Sequence, residues 1–184
     1  MKNSAGESPL GQVIADAQLA ATRGAGAQVA LMNPGGIRAA LPQPADGQLR
    51  YEDLFSVQPF YNNLVTLTLT GAQLLQVLEQ QWAGRTDGGR VLHVSQGLAY
   101  SWDSTRPVGQ RVVPGSVVLN GQPLDPSANY RVAVNSFLAA GGDNFSVFKQ
   151  ARAPRTGMMD VDAFEQHIAK GGVPAFAERV RRIN

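Results

Sequence analysis

Residues 64–82 read LVTLTLTGAQLLQVLEQQW, and they decide the fold class. Val65, Leu67 and Leu69 alternate strictly with Thr66 and Thr68. That period of two predicts a half-buried strand from Leu64 to Leu69. Thr70 and Gln73 stand three apart, the spacing of a capping box, and the period then changes. Leu74, Leu75, Leu78 and Trp82 fall on one side of a helix. A strand that passes directly into a helix, within a chain that carries further pairs of both kinds, predicts a mixed α+β protein.

Outward from this stretch the pattern continues. Upstream, Ser8 is suited to an N-cap and Pro9 to the first helical position. Leu10, Val13, Ile14 and Ala17 form the apolar stripe, and Gly24 is the expected stop. Gln28 to Met32 is expected as a short buried strand, ending in the sharp loop Asn33-Pro34-Gly35-Gly36. A polar stretch from Pro42 to Gly47 separates it from Leu49 to Phe55. Downstream, Gly84 to Gly89 is expected as a loop. Leu98–Trp102 and Val117–Leu119 are expected as strands, and Asn120-Gly121 as a hairpin turn. Tyr130 to Asn135 alternates again, and Ala140-Gly141-Gly142-Asp143 is a second flexible loop. A last helix is expected from Asp160 to Lys170, with Val161, Phe164 and Ile168 inward and Gly171 as its stop.

Composition narrows the classes. The chain has 184 residues, 43% hydrophobic and 16% charged, which suits one packed domain rather than a disordered polymer. No apolar run is long enough for a membrane span. Sixteen cations against 14 anions give a net charge of +2, without a Lys/Arg run that would mark a nucleic-acid polymer as partner. Arg179, Arg181 and Arg182 are expected as a solvated end. There is no cysteine, so disulfides, thiolate metal sites and a Cys nucleophile are excluded. The chain starts almost directly in a helix-start pattern with no visible signal-peptide pattern, and is expected to be a piece cut from something longer.

Catalytic patterns are scarce. His93 and His167 belong to no HxH or HxxxH spacing, and each is expected to be a surface or capped histidine. No GxSxG accompanies Ser136, and no base is marked as its partner. Asp160 and Asp162 stand at a helix start, where the dipole favours them, so their expected role is structural. No catalytic and no metal-ligating residue is assigned. Three loops together offer more than each does alone. Asn33–Arg38 ends in a forked cation, Pro59-Phe60-Tyr61-Asn62-Asn63 bears an aromatic, and Phe137–Asp143 bears an aromatic and a carboxylate. Taken singly, each is as much a turn or a packing residue as a site. Jointly they match a nucleoside: π-faces for a base, a carboxylate for ribose hydroxyls, a guanidinium for phosphate.

Four ordered motifs carry a family resemblance over nearly the whole chain. Gly6-Glu7-Ser8-Pro9-Leu10-Gly11, Asn33-Pro34-Gly35-Gly36-Ile37-Arg38, Val57-Gln58-Pro59-Phe60 and Asn135-Ser136-Phe137-Leu138-Ala139-Ala140-Gly141-Gly142-Asp143 resemble the C-terminal domain of the 5′-nucleotidases. That family includes UDP-sugar hydrolases and cyclic-nucleotide phosphodiesterases. The resemblance implies a four-layer α/β/β/α domain that binds the nucleotide substrate. It implies that Phe60 and Phe137 sandwich the base, Asp143 holds the ribose, Arg38 meets the phosphate or ribose side, and Asn33 helps fix the base. It also implies an N-terminal metallophosphatase domain, absent from this chain, that carries two divalent metal ions and the catalytic residues, and a periplasmic, secreted or cell-surface location. Residues 1–184 are thus expected as one nucleotide-binding domain, inactive alone. The alternatives are a stand-alone ligand-binding module and a plain structural domain with buried phenylalanines. Two departures from the family pattern stand out. No arginine precedes the first helix, and Pro34 occupies a usually flexible position.

Overall fold

The computed structural model describes residues 2–85, 89–171 and 175–184. The first helix, α1 (Pro9–Thr22), is capped as its sequence predicts: Ser8 Oγ accepts from the Gly11 N–H at 3.1 Å. Its stop lies two residues beyond the expected Gly24. A 3-10 turn over Arg23–Ala25 prolongs the helix, and Gly26 ends it in the left-handed conformation at φ 84°. Strand β1 (Val29–Met32) follows, then helix α2 (Tyr51–Val57), which occupies most of the stretch from Leu49 onward to which no element is assigned from sequence. Strand β2 (Asn63–Thr70) leads into α3 (Gly71–Gln80) through the predicted capping box. Thr70 Oγ1 accepts from the Gln73 N–H, and Gln73 Oε1 accepts from the Thr70 N–H. The remaining elements are β3 (His93–Val94), β4 (Leu98–Trp102), β5 (Val118–Leu119), β6 (Gln122–Pro123), β7 (Asn129–Asn135), α4 (Ser136–Ala139), β8 (Arg152–Met159), α5 (Asp160–Ala169) and β9 (Val180–Arg182). Of the expected Gly84–Gly89 loop, residues 86–88 lie outside the described residues.

These elements make two sheets with flanking helices, the expected α+β class. One sheet runs β3-β1-β7-β2-β8 and the other β6-β5-β4-β9. β1 and β7 are parallel, pairing Ala30 with Ala133, while β2 is antiparallel to both β7 and β8. The period of two sorts the side chains by face. Val29, Leu31, Val65, Leu67, Leu69, Val132 and Val134 enter the main core, shared with α3 and with Leu98, Tyr100 and Trp102 of the second sheet. The opposite face carries Ala30 and Ala133, small enough for Leu19 of α1 to pack close. Beyond them α1, α2 and α5 form a second core around Ile14, Met32, Leu54, Val57 and Phe164. β2 is therefore not half-buried as its alternation predicts. Its threonine face is also covered, and Thr66 is buried. Alternation there reflects two unlike layers rather than a wet and a dry side.

Two other expectations are corrected. His93 is neither on the surface nor capped: it is fully buried, and neither ring nitrogen has a hydrogen-bond partner among the described residues. Its ring lies on the α1 backbone at Gly11, where a Cβ would stand 2.2 Å from the ring. Burial, with Lys2 nearby as a lesser cause, holds its pKa down to about 4. Arg179 is not part of a solvated end. It grips Asp16 of α1 with two bonds of 2.7 and 2.8 Å, and both side chains are nearly buried. Arg181 and Arg182 are exposed as expected, the latter above the Trp102 ring.

Candidate functional site

Three corners of the five-stranded sheet meet at one cavity of about 440 Å³. Each is built by a local rule. At the first, the chain leaves β1 through Asn33, which is buried and extended. Pro34 opens a 3-10 turn, a position where its missing N–H costs nothing, so the departure noted from sequence is accommodated. Gly36 packs closely: a Cβ there would stand 2.5 Å from Met32 Cε, so a side chain would require the tip of that methionine to move. The Arg38 N–H then bonds to the Val57 carbonyl at 2.9 Å, which ties this loop to the end of α2.

The second corner joins α2 to β2. Phe60 is half exposed, and Tyr61 beside it holds φ 52°, an unusual conformation for a bulky residue. The Tyr61 ring rests on Phe55 at 4.8 Å, and Asn62 is fixed by two bonds: Ser136 Oγ donates to its Oδ1 and the Asp160 N–H to its carbonyl. The strained residue is thus locked from both sides. The Arg38 guanidinium lies 5.7 Å from the centre of the Phe60 ring, within cation–π range.

The third corner begins at Asn135, whose Oδ1 caps α4 by accepting from the Leu138 N–H at 2.9 Å. Phe137 projects from α4, 45% exposed, and its ring lies flat enough on the returning chain that a Cβ on Gly142 would stand 2.5 Å from it. Gly141, Asp143 and Asn144 all have positive φ, so the chain folds back tightly and presents the Asp143 carboxylate to the cavity. The Arg85 guanidinium donates to the Asp143 carbonyl.

The polar floor is a chain of amides. Asn135 Nδ2 donates to Asn33 Oδ1 at 2.8 Å, and Asn33 Nδ2 donates to Asp143 Oδ2 at 3.0 Å. All five residues singled out from sequence (Asn33, Arg38, Phe60, Phe137 and Asp143) line this one cavity. Five others line it as well: Gly35 and Gly36 of the first turn, and three with side chains. Asn62 and Asn135 stand in the quoted stretches, but their roles as braces depend on contacts between distant loops. Arg90 has no sequence signal. It arrives because β3 pairs with β1, Met32 opposite His93, which lays the approach to β3 beside the Asn33–Gly36 turn. Arg90 Nη1 stands 3.6 Å from Asp143 Oδ1.

Two cations and one carboxylate favour an anionic ligand, and two half-exposed rings favour a flat one. The volume falls in the roughly 300–1,000 Å³ range of small-molecule sites. Behind Asn62, Asp160 at the start of α5 is buried, and burial raises its pKa to about 6, against the opposing pull of the Val161 N–H and the Asn62 side chain. Among the described residues, no three His, Asp or Glu side chains gather as a cation site. The described residues thus do not fit a dimetal centre.

Comparison with known proteins bears on this site. The family model for the 5′-nucleotidase, C-terminal domain, matches residues 1–150. The chain is 35% identical over 171 residues to the trifunctional nucleotide phosphoesterase protein YfkN of Bacillus subtilis, covering 90% of this chain and 12% of that protein. It is 37% identical over 168 residues to the cell wall protein Lmo0130 of Listeria monocytogenes, covering 88% of this chain and 21% of that protein. A solved 5′-nucleotidase precursor from Thermus thermophilus superposes with a TM-score of 0.83 at 37% identity, over 97% of this chain and 36% of that one. The chain thus spans between about an eighth and about a third of the length of these relatives.

Proposed function

The chain belongs to the 5′-nucleotidase C-terminal domain family, and from that premise we propose that it is the nucleotide- or nucleoside-binding domain of a metal-dependent phosphoester hydrolase. One observation carries this reading: residues 105 positions apart in the chain, from Arg38 to Asp143, line one cavity with two half-exposed phenylalanines. Two half-exposed rings on one cavity are apolar surface of the kind that marks a ligand-binding groove.

In this reading the base enters between Phe60 and Phe137, and each ring contributes about 1–3 kcal/mol of stacking. Asp143 accepts from the ribose hydroxyls, its carboxylate aimed by Asn33, which Asn135 in turn holds. The remaining amide hydrogen of Asn33 is available to the base or sugar. Arg38 supplies a forked donor for phosphate and, through its contact with Phe60, stiffens the aromatic wall. Hydrolysis is assigned to a metallophosphatase domain elsewhere in the parent protein, whose two divalent ions would supply the nucleophile and charge neutralisation. A location outside the cytoplasm is proposed on the likeness to a cell wall protein.

Calorimetric titration of adenosine tests the reading. The wild type should bind, and Phe60→Ala and Phe137→Ala should each weaken binding about ten-fold or more. Equal binding by all three, or none at millimolar adenosine, would end it. An assay of 5′-AMP hydrolysis with added Mn²⁺ or Zn²⁺ should show no turnover, and robust turnover would contradict the assignment of chemistry to another domain.

A further inference from the structure

Asp143 is a strong acceptor, but a cis-diol offers acceptors as well as donors. Each ribose hydroxyl has one hydrogen to give and two lone pairs to satisfy. A carboxylate serves only the hydrogens. The lone pairs need a donor set beside it, and one stands there. Arg90 Nη1 is 3.6 Å from Asp143 Oδ1, close enough for Coulomb attraction but too long for a hydrogen bond. Among the described residues the Arg90 side chain makes no hydrogen bond at all, although it lines the cavity and is 39% exposed. Asp143, by contrast, is 17% exposed and already bonded to Asn33. Among the described residues the ion pair is therefore open on the arginine side, with its fork uncommitted. Gly35 lies against both groups: a Cβ there would stand 3.4 Å from Arg90 Nη1 and 3.5 Å from Asp143 Oδ2, at ordinary contact distance.

We infer that Arg90 is a specificity-determining residue, which donates to the ribose hydroxyl oxygens whose hydrogens Asp143 accepts, so that the pair reads a cis-diol and selects ribonucleosides over deoxyribonucleosides. This rests on the proposed placement of the sugar at Asp143. A ligand without the hydroxyls forgoes the contact to the carboxylate and the contact to the guanidinium together, a larger loss than either alone. A lysine could also attract the carboxylate, but only the planar fork can reach a hydroxyl and the carboxylate together.

The test pairs variants with ligands. Adenosine and 2′,3′-dideoxyadenosine are titrated by calorimetry against wild type, Arg90→Ala and Arg90→Lys, with Phe60→Ala alongside, and folding of each is checked by thermal melting. Arg90→Ala should lose roughly five- to ten-fold in adenosine affinity, about the worth of one charge-assisted hydrogen bond at a partly exposed site. It should leave dideoxyadenosine within about two-fold, because that ligand has no diol to read. Arg90→Lys should recover part of the adenosine loss. If Arg90→Ala binds adenosine as the wild type does, or loses the same factor for both ligands, the inference falls. In either case a weakened Phe60→Ala leaves the binding function standing. If Phe60→Ala also binds normally, the sandwich and the diol reader fall together.

Discussion

Single atoms govern the shape of the aromatic wall. Gly142 has no unusual φ, so it is not there for backbone freedom. It is there because the Phe137 ring occupies the space a side chain would need. Gly142→Ala should push the ring out of place by its edge. The expected outcome is a several-fold loss of adenosine affinity with about 1 kcal/mol or less of stability lost, since a half-exposed ring can move into solvent. Calorimetry with a urea melt separates the two effects. Unchanged affinity would mean that the ring position is not used. Asp143 shows the opposite logic at the next position. Its φ of 54° suits Asp and Asn among residues with side chains, so the residue that the chemistry wants is one the turn tolerates.

At the scale of elements, the clearest segments were those in which local and global demands coincide. β2 and α3 announce themselves because the alternation marks a strand, and the capping box and helical stripe agree with the packing of α3, although the alternation does not reveal that both faces of β2 are covered. β8 is silent. It is an edge strand, exposed for most of its length, with Pro154 and Gly157 inside it and no apolar face to create a pattern. β9 spans three residues, and its arginines resemble a solvated tail. What places it is Arg179, just before it. That side chain bonds to Asp16 of α1 and to the Val94 carbonyl, while Asp16 also accepts from the Gln96 N–H. Glu7, buried at the start of α1, accepts from the Arg179 N–H as well. One residue thus fastens the C-terminal segment, the first helix and β3. Arg179→Ala should cost about 3–5 kcal/mol, because it leaves Asp16 buried and unpaired. Arg179→Met combined with Asp16→Leu should recover much of that loss, as measured by urea denaturation. A single variant that loses less than about 1 kcal/mol would show that the pair does not fasten the segment. The candidate site divides in the same way. Phe60, Phe137, Asn33, Arg38 and Asp143 were legible because they stand in ordered motifs. Arg90 was not, because only the pairing of β3 with β1 brings it there.

For the molecule as a whole, two buried groups act on stability in opposite directions with pH. His93 has a folded pKa of about 4 against an ordinary value of 6.5. Between those values the unfolded chain binds the proton and the folded one does not, so stability falls as the pH falls from 6.5 to 4. Asp160 has a folded pKa of about 6 against 3.8. There the folded chain holds the proton and the unfolded one does not, so stability rises as the pH falls from 6 to 3.8. Each shift is worth about 3 kcal/mol, and the two windows overlap almost completely. Their sum should be nearly level across the range in which either alone would tilt the curve. Single variants unmask the terms, and the slope rather than the level is the readout, because each variant also changes packing. From about pH 7 to 4, the stability of His93→Gln relative to wild type should rise by about 3 kcal/mol. That of Asp160→Asn should fall by a similar amount, as the wild type gains what the amide lacks. Urea melts at half-unit intervals of pH measure both. A His93→Gln difference that stays flat over that range would mean that the imidazole is protonated equally in the folded and unfolded chains, and the packing of its ring on Gly11 would then need another account.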